Sequence, residues 1–275
     1  MKYLLITIVS IYFYYALPDK PTKDLLNIPK SKGSFIIAAM SKDGIVIGAD
    51  TRGCFYDIHE TDTIVYASYD PIQKIFQMGN EYMMGCIGSV TQQESKNWFY
   101  QYVDSFKRYR VKQNSLVNEA TLFYRFLQTN YSSAYQMFYN MQLYFIGYQN
   151  NEPRFCLLQR GNFQCSSEYI VSDSKSDFDS FYHKSDSWQV VANLIERKIN
   201  EFAKKYKRED FIGGQISLIR ITPDNKFIWI RGKPPIEGWR NYHEFYSDYQ
   251  RRKVKMKFKS KESKEYILKG IESKL

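Results

Sequence analysis

Residues Gly33 to Arg52 read GSFIIAAMSKDGIVIGADTR, and this stretch decides the fold. The run from Ser34 to Met40 is typical of a buried strand, and the apolar run from Ile45 to Ala49 is typical of its return partner. Between the two runs, the residues SKDG have the composition of a tight turn. The stretch therefore predicts a β-hairpin that begins at a serine and ends in the charged residues Asp50 and Arg52.

Further strands and helices follow the hairpin in an order that indicates a layered fold. Short strands are predicted around residues 63–68, 72–78 and 82–87, helices over 92–109 and 116–137, three strands between 141 and 171, a helix over 187–205 and a final hairpin over 215–231. This order is neither that of a doubly wound sheet nor that of a strand-only sandwich. It fits two sheets stacked face to face with helices on the outside.

Two later blocks stand out beyond the hairpin. Lys74 precedes the apolar residue Ile75, and Gly88 comes fourteen residues after Lys74. The last block reads EDFIGG, from Glu209 to Gly214, and lies directly before a predicted strand. Each block alone is a weak signal, because short glycine-rich motifs are common. Three such blocks in a fixed order, two of them with a defined internal spacing, form a much stronger signal.

Together the three blocks resemble those of the proteasome β-type subunits, in the superfamily of N-terminal-nucleophile (Ntn) hydrolases. In that family a Gly precedes a Thr nucleophile, and an Asp follows sixteen residues later. Here Ser34 stands in the place of that Thr, and Asp50 keeps the spacing. The resemblance covers about Gly33 to Arg231. It implies an α+β fold, the four-layer αββα sandwich, and a mature chain that begins at Ser34 once residues 1–33 are removed.

The resemblance implies a role for each matching residue. Ser34 is the nucleophile, and its own α-amine, which titrates near neutrality, is the base. Lys74 lies beside Ser34 and favours loss of the hydroxyl proton, while Asp50 holds the Lys74 ammonium in place. The backbone N–H of Gly88 is the expected oxyanion donor. Arg52 is expected to be structural, bracing the hairpin by pairing with a carboxylate or with carbonyl groups.

The supporting residues depart from the family in two places. Glu209 and Ile212 stand where the family has Asp and Ser, and Asp210 is a neighbouring candidate for the carboxylate. Asp173, within the residues SDSK, aligns with a functional serine of the family. A changed supporting shell commonly costs activity. The sequence therefore leaves two functions open: an active hydrolase, and a catalytically degenerate subunit that serves binding or assembly.

The substrate implied by the resemblance is a peptide or another amide. The residues expected to line its pocket are uncharged and mostly apolar, namely Gly53, Ile72, Phe76, Cys86 and Val90. They favour an apolar side chain next to the cut bond. No cofactor is implied, and the three histidines are not clustered as metal ligands would be, so no metal site is predicted. A homo-oligomer or ring is expected by analogy with the family alone.

The segment between Arg52 and Lys74 is about eight residues longer than in typical relatives, an insertion of the kind that loops tolerate. Residues 57–66 are therefore predicted to form a loop.

The first 17 residues are typical of a targeting segment. Lys2 supplies a positive charge, Tyr3 to Tyr15 is almost wholly apolar or aromatic, and Pro18 ends the run. Because the run is short for a membrane span, residues 1–17 are predicted to be a signal peptide of an exported protein, and residues 18–33 a linker or propeptide. The alternative is that residues 3–17 anchor the chain in a membrane.

The net charge of +10 is concentrated at the C-terminal end. Residues 251–275 contain ten Lys or Arg and three Glu, a net charge of +7, so the charge is not evidence of nucleic-acid binding by the whole chain. Residues 34–235 are predicted to form the hydrolase domain and residues 236–275 a basic tail. The tail is interpreted as a solvated arm, and docking on an acidic partner or an anionic membrane surface is the alternative.

Two of the four cysteines flank a predicted hairpin turn at Arg160 and Gly161. In that register, Cys156 and Cys165 face each other across the strands. A disulfide and two free thiols are both compatible with this spacing.

Overall fold

The structure, a computed structural model, describes residues 30–32, 34–59, 62–88, 98–113, 115–130, 141–172, 177–233 and 238–275. The strands in these residues are β1 Lys30–Lys32, β2 Ile36–Ser41, β3 Gly44–Asp50, β4 Gly53–His59, β5 Asp62–Asp70, β6 Ile75–Met78, β7 Tyr82–Ile87, β8 Gln142–Gln149, β9 Glu152–Gln159, β10 Asn162–Ser166, β11 Tyr169–Val171, β12 Ile216–Ile221, β13 Phe227–Arg231 and β14 Lys255–Phe258. The helices are α1 Phe99–Tyr109, α2 Leu116–Asn130, α3 Trp188–Lys205, α4 Tyr242–Gln250 and α5 Lys261–Glu272. The predicted signal peptide, Gly33, Val90 and Asp173 lie outside the described residues.

The predicted opening hairpin is confirmed as β2 and β3. The two strands pair antiparallel from Ile36 with Ala49 to Ser41 with Gly44. Gly44 has a φ of +148°, and a Cβ atom there would lie 2.5 Å from the carbonyl oxygen of Ile221, so the turn requires glycine. β12 pairs with the other edge of β3, which puts β3 at the centre of a five-stranded sheet of order β11-β2-β3-β12-β13.

A second five-stranded sheet, of order β10-β9-β8-β7-β6, stacks on the first. The apolar layer between the two sheets includes Ile36 and Ile47 from the first and Tyr144 and Ile146 from the second, all fully buried. α3 covers the outer face of the first sheet, and α1 and α2 cover the outer face of the second. This is a four-layer αββα sandwich, and the predicted fold class is confirmed. In the described part of the chain, no helix combines the length and apolarity needed to cross a membrane.

A third sheet, of order β1-β4-β5-β14, lies beside the sandwich. β4 and β5 pair from Gly53 with Tyr69 to His59 with Asp62, so the prediction of a loop over residues 57–66 is wrong. The longer segment extends a hairpin instead, because its backbone groups are satisfied by strand pairing.

Residues 238–275, which we call the C-terminal module, fold against this third sheet. β14 pairs with β5, and the buried side chains of Phe245, Val254, Ile267 and Ile271 join Phe55 and Tyr69 in one apolar cluster. The interpretation of the C-terminal residues as a solvated arm is therefore wrong. The apolar side chains of the C-terminal module are packed in this cluster, whereas its lysines face outward. Burial of this kind stabilises a fixed structure.

The hairpin of β9 and β10 settles the cysteine alternatives. Cys156 and Cys165 are directly opposite in its register, and the turn residues Arg160 and Gly161 have φ values of 51° and 77°. Both φ values are positive, as in a two-residue type I′ turn. The two cysteines form a disulfide.

Candidate active site

Asp50 lies at the end of β3 with its side chain fully buried, and its carboxylate binds four groups. Oδ1 accepts the backbone N–H of Phe35 at 2.7 Å. Oδ2 accepts the ammonium of Lys74 at 2.8 Å and the backbone N–H groups of Arg52 at 3.2 Å and Gly213 at 3.1 Å. One carboxylate therefore joins three segments that are distant from it in sequence, at Phe35, Lys74 and Gly213, and a buried charge with four donors is well satisfied.

Lys74, directly before β6, is the buried cation of the site. Its side chain is 2% exposed, and Nζ donates to Asp50 and, at 2.6 Å, to the carbonyl oxygen of Arg52. The Lys74 carbonyl accepts the N–H of Cys86 at 2.9 Å, which fixes the backbone. Burial lowers the pKa of Lys74, and the adjacent Asp50 carboxylate opposes that shift. The amine thus gives up a proton more readily than an exposed lysine would.

Ser34 directly precedes the residue that Asp50 binds. The Phe35 N–H donates to the Asp50 carboxylate, and the Phe35 carbonyl accepts the Asp50 N–H at 3.3 Å. Because the Ser34 carbonyl carbon is bonded to the Phe35 nitrogen, Ser34 lies one peptide unit from this carboxylate. Ser34 itself is half-buried. The structure thus brings the chain around Ser34, Asp50 and Lys74 together at one place.

The residues before Ser34 reach this place along β4. In β1, Lys32 pairs with Cys54, Ser31 with Phe55 and Lys30 with Tyr56 in an antiparallel register. β1 is the edge of its sheet, so β4 has no strand other than β1 on that side. The peptide bond that precedes Ser34 therefore follows a strand held against β4.

Arg52 ties the site to two neighbouring segments. Its guanidinium pairs with the Asp70 carboxylate at 3.2 Å, and Nη1 donates to the carbonyl oxygen of Glu209 at 2.5 Å. Asp70 is a residue that sequence reasoning missed, because only the tertiary fold brings the end of β5 to Arg52. The Oδ1 atom of Asp70 is buried and makes no hydrogen bond within the described residues.

The loop from Glu209 to Gly214 contributes backbone rather than side-chain groups. Gly213 donates its N–H to Asp50, and its carbonyl accepts the N–H of Thr51 at 3.0 Å. The Glu209 side chain is exposed, and Asp210 pairs with Lys259 of the C-terminal module at 2.6 Å. Ile212 is buried in the core beneath α3. Within the described residues, neither the Glu209 nor the Asp210 carboxylate forms a hydrogen bond or an ion pair with Asp50 or Lys74.

Ser172, next to the predicted Asp173, also reaches the start of the hairpin. Its Oγ accepts the N–H of Ile36 at 3.0 Å, and its own N–H donates to the Ile36 carbonyl at 3.0 Å. Ser172 thus fixes the backbone two residues beyond Ser34. The sequence signal was the position of Ser172 in the SDSK loop, but its contact with β2 could not be read from spacing.

Gly88 follows β7 with a φ of +132°, a conformation that favours glycine. A Cβ atom there would lie 2.8 Å from Cγ of Met141. Gly88 lies two residues beyond Cys86, whose N–H binds the Lys74 carbonyl, so it belongs to the same edge of the site.

The predicted pocket residues within the described chain are buried but belong to two apolar clusters. Phe76 and Cys86 pack under α1 and α2, whereas Ile72 packs with the C-terminal module. A Cβ atom on Gly53 would lie 2.4 Å from the Tyr69 ring, so the ring fills that space. Burial raises the pKa of the Cys86 thiol to about 12, which excludes a thiolate nucleophile at this position at neutral pH. A cavity of about 450 Å³ between α1 and α4 is lined by other residues.

The half-buried Asp70 carboxylate predicts a pH-dependent contribution to stability. Burial raises its pKa above the ordinary value of 3.8, although Arg52 acts in the opposite direction. Because the folded state holds this proton more tightly, stability should fall as the pH rises from 3.8 through the raised pKa. In thermal unfolding across this range, Asp70→Asn should gain stability relative to the unmodified chain as the pH rises.

Asp224→Asn is the control for that experiment. Lys226 lowers the pKa of the exposed Asp224 carboxylate, so its contribution should be lost as the pH falls, with the opposite sign. A stability difference for Asp70→Asn that is flat with pH would contradict the assignment.

Comparison with known proteins agrees with this fold. Residues 30–163 match the family model described as the proteasome subunit, and this range includes Ser34, Asp50, Lys74 and Gly88. The match covers just under half of the chain, and the chain is therefore similar over this range to the proteasome subunit family.

Among solved structures, the chain is similar to a mutant of Anbu from Hyphomicrobium sp. strain MC1, with a TM-score of 0.51 and 15% sequence identity. The alignment covers 80% of this chain and 96% of the Anbu chain. At this identity, the likeness supports the fold alone. A search of curated proteins finds no match.

Proposed function

We propose that the chain cleaves a peptide or another amide bond with Ser34 as its N-terminal nucleophile, after removal of residues 1–33. The observation that carries this proposal is the Asp50 carboxylate, which binds both the Phe35 N–H and the Lys74 ammonium. The Asp50 carboxylate therefore fixes the positions of Phe35, which follows the nucleophile, and of the buried Lys74 ammonium. Such fixed charges around a reacting hydroxyl are what nucleophilic catalysis requires.

In the self-cleavage step, the Ser34 hydroxyl adds to the carbonyl carbon of the preceding residue. The base in this step cannot be the Ser34 nitrogen, because it is still part of an amide. Lys74 is the candidate, since burial lowers its pKa. The C–N bond then breaks, the nitrogen takes up a proton, and water hydrolyses the ester. The products are a chain that begins with a free amine at Ser34 and a released leader.

In substrate hydrolysis, the liberated α-amine takes the Ser34 hydroxyl proton as the oxygen adds to the substrate carbonyl. An α-amine has a pKa of about 8, suited to this exchange near neutral pH. The Gly88 N–H would stabilise the oxyanion, and the leaving amine would take the proton. Water then hydrolyses the acyl ester and regenerates Ser34.

Removal of residues 1–33 would also open a peptide-binding edge. It takes away β1, and with it the strand that pairs with Cys54 to Tyr56 of β4. An extended peptide can add to such an edge through main-chain hydrogen bonds. We propose that the substrate takes the place of β1, with an apolar side chain near Ile72 and Gly53.

A second candidate function is a non-catalytic subunit that serves binding or assembly. It is favoured by the loop from Glu209 to Gly214, where Ile212 lies in the core and Asp210 is bound to Lys259. Neither residue supports an amine at Ser34 in this arrangement. In this case, the leader would remain attached and β1 would stay on β4.

Export and assembly complete the proposal. The apolar residues 3–15 support export, with retention of this segment as a membrane anchor as the alternative. Similarity to the proteasome subunit family suggests assembly with further subunits, which we propose here as a homo-oligomer.

Mass spectrometry of the purified chain tests the two functions. The hydrolase is expected to have Ser34 as its N-terminal residue and to form an ester at the Ser34 hydroxyl when it is treated with an acylating peptide electrophile. Ser34→Ala should leave the leader attached and abolish labelling. Thr63→Ala, on the exposed part of β5, serves as the control and should be processed normally. An intact leader on the unmodified chain would support the binding subunit instead.

A further inference from the structure

The C-terminal module presents a cationic surface that its own carboxylates do not neutralise. Residues 251–275 contain ten Lys or Arg and three Glu. Within the described residues, only Lys253 and Lys259 of these ten cations form ion pairs, with Asp248 and Asp210. All ten except Lys274 are exposed. We call the exposed Lys and Arg side chains of residues 251–269 the basic face.

The basic face is held on regular structure. In β14, Lys255 and Lys257 are exposed, while Met256 and Phe258 pack against the apolar cluster on the other face. Alternate residues of a strand are about 6.8 Å apart, so the two ammonium groups start from fixed, evenly spaced positions. α5 adds Lys261, Lys264 and Lys269 but also three glutamates, so the excess positive charge comes mainly from residues 251–259. The fold therefore gathers these charges on one module instead of leaving them on a flexible arm.

Protection of a sheet edge explains part of this charge. β14 is the edge strand of the third sheet, and lysines on an edge strand prevent pairing with another molecule. That function needs only the lysines of β14. The excess positive charge extends beyond the strand, to Arg251, Arg252 and Lys253 before it and to Lys259 after it. Charge on these flanking residues requires a different explanation.

The residue types favour a lipid surface over a folded protein or a nucleic acid. Eight of the ten cations are Lys, which acts as a mobile point charge, and only Arg251 and Arg252 have the planar group suited to paired recognition. Lys is depleted at protein interfaces. Within residues 251–275, the one large apolar side chain that is exposed is Leu275, so aromatic rings for base stacking are not presented.

β1, the first strand of the described chain, lies in the same sheet as β14. β1 is three strands from β14, a separation of about 14 Å. Residues 18–29 connect β1 to the apolar residues 3–15 and can span up to about 40 Å. In an unprocessed chain, an apolar segment and the basic face can therefore engage one membrane together, and two such signals give firm attachment where one does not.

We infer that the basic face binds the surface of an anionic lipid bilayer through diffuse attraction to its headgroups. This inference does not depend on hydrolysis, because no residue of the basic face belongs to the proposed active site. Each basic residue near an anionic surface strengthens binding by about fivefold, and the attraction is screened by salt.

Vesicle flotation of the full chain tests this inference. Vesicles of phosphatidylcholine mixed with phosphatidylglycerol should retain the chain at low salt much more strongly than vesicles of phosphatidylcholine alone. The triple variant Lys255→Gln, Lys257→Gln and Lys264→Gln should weaken this extra retention roughly hundredfold. A matched variant, Lys42→Gln, Lys204→Gln and Lys207→Gln, removes the same charge from exposed lysines elsewhere and should change it only a few-fold.

Three results would overturn the inference. One is equal retention by the two kinds of vesicle, and another is an equal loss for both triple variants. The third is tighter binding to polyglutamate or to single-stranded DNA than to the anionic vesicles under the same salt conditions. Ser34→Ala, which keeps the leader, should bind anionic vesicles at least as strongly as the unmodified chain and should lose the same factor on the triple substitution, which separates this test from the test of the hydrolase.

Discussion

Lys74→Met should abolish both the release of Ser34 and the hydrolysis of peptides, lowering each rate by at least about a hundredfold. The reason is the position of the Lys74 ammonium, 2.8 Å from the Asp50 carboxylate that holds Phe35. Methionine has a similar length and no charge, so it fills the space without replacing the proton acceptor or the positive charge. N-terminal mass spectrometry and peptide hydrolysis measure the two rates.

The same substitution should also destabilise the fold, which has to be separated from catalysis. Removing Lys74 leaves the fully buried Asp50 carboxylate without its counter-ion, a change that costs about 3–5 kcal/mol. Asp50→Asn in the same chain removes that uncompensated charge. The double variant Lys74→Met with Asp50→Asn should therefore regain most of the stability and none of the activity. Recovery of cleavage in the double variant would contradict a chemical role for Lys74.

Lys198 offers a matched control on α3. Its side chain is 4% exposed, against 2% for Lys74, but its partners Asp177 and Glu201 are more than half exposed. Water can solvate those carboxylates when the lysine is removed. Lys198→Met should thus lower stability less than Lys74→Met and leave processing intact. Equal loss of processing in the two variants would mean that the loss follows from unfolding alone.

The hairpin and the αββα fold could be predicted because their signals are local or repeated at fixed spacing. Residues 34–50 form a strand, a turn and a return strand in consecutive positions. Hydrogen bonds along that hairpin place Asp50 next to Phe35, the residue after Ser34. The place of Lys74 followed from its family resemblance, and the structure brings it to Asp50.

Contacts between distant segments could not be predicted in the same way. Asp70 lies 18 residues from its partner Arg52, and Lys259 lies 49 residues from its partner Asp210. No local pattern specifies which carboxylate meets which cation, because such pairs depend on how the third sheet packs. The loop from Glu209 to Gly214 reaches Asp50, but the group that it gives to Asp50 is the backbone N–H of Gly213.

In the sequence of the C-terminal module, the high positive charge is typical of a solvated arm, but the apolar periodicity is typical of folded elements. Alternating residues at Val254, Met256 and Phe258 have the period of a strand with one buried face. Ile267 and Ile271 are four residues apart, the spacing of one helical face. Lysines on the opposite faces raised the net charge without removing either pattern. The apolar spacing of this segment therefore determines its structure.

Ile267→Ala should lower the free energy of unfolding by about 2–5 kcal/mol, and Ile271→Ala should do the same. Both side chains are 0% exposed and pack in the cluster with Phe55 and Tyr69 of the third sheet. A solvated tail would give almost no change. Urea unfolding measures the effect, and Leu275→Ala, at a side chain that is 54% exposed, should change stability by less than about 0.5 kcal/mol.

Ile267→Ala should also disturb the active site under conditions where this variant remains folded. Ile72 belongs to the same cluster as Ile267, and the Tyr69 ring fills the space beside Gly53 on β4. A cavity at Ile267 allows this layer to shift, and β4 carries the edge on which the leader lies. We therefore expect Ile267→Ala to slow release of Ser34 at temperatures well below its unfolding midpoint. Normal release there would show that the module stabilises the third sheet without positioning the leader.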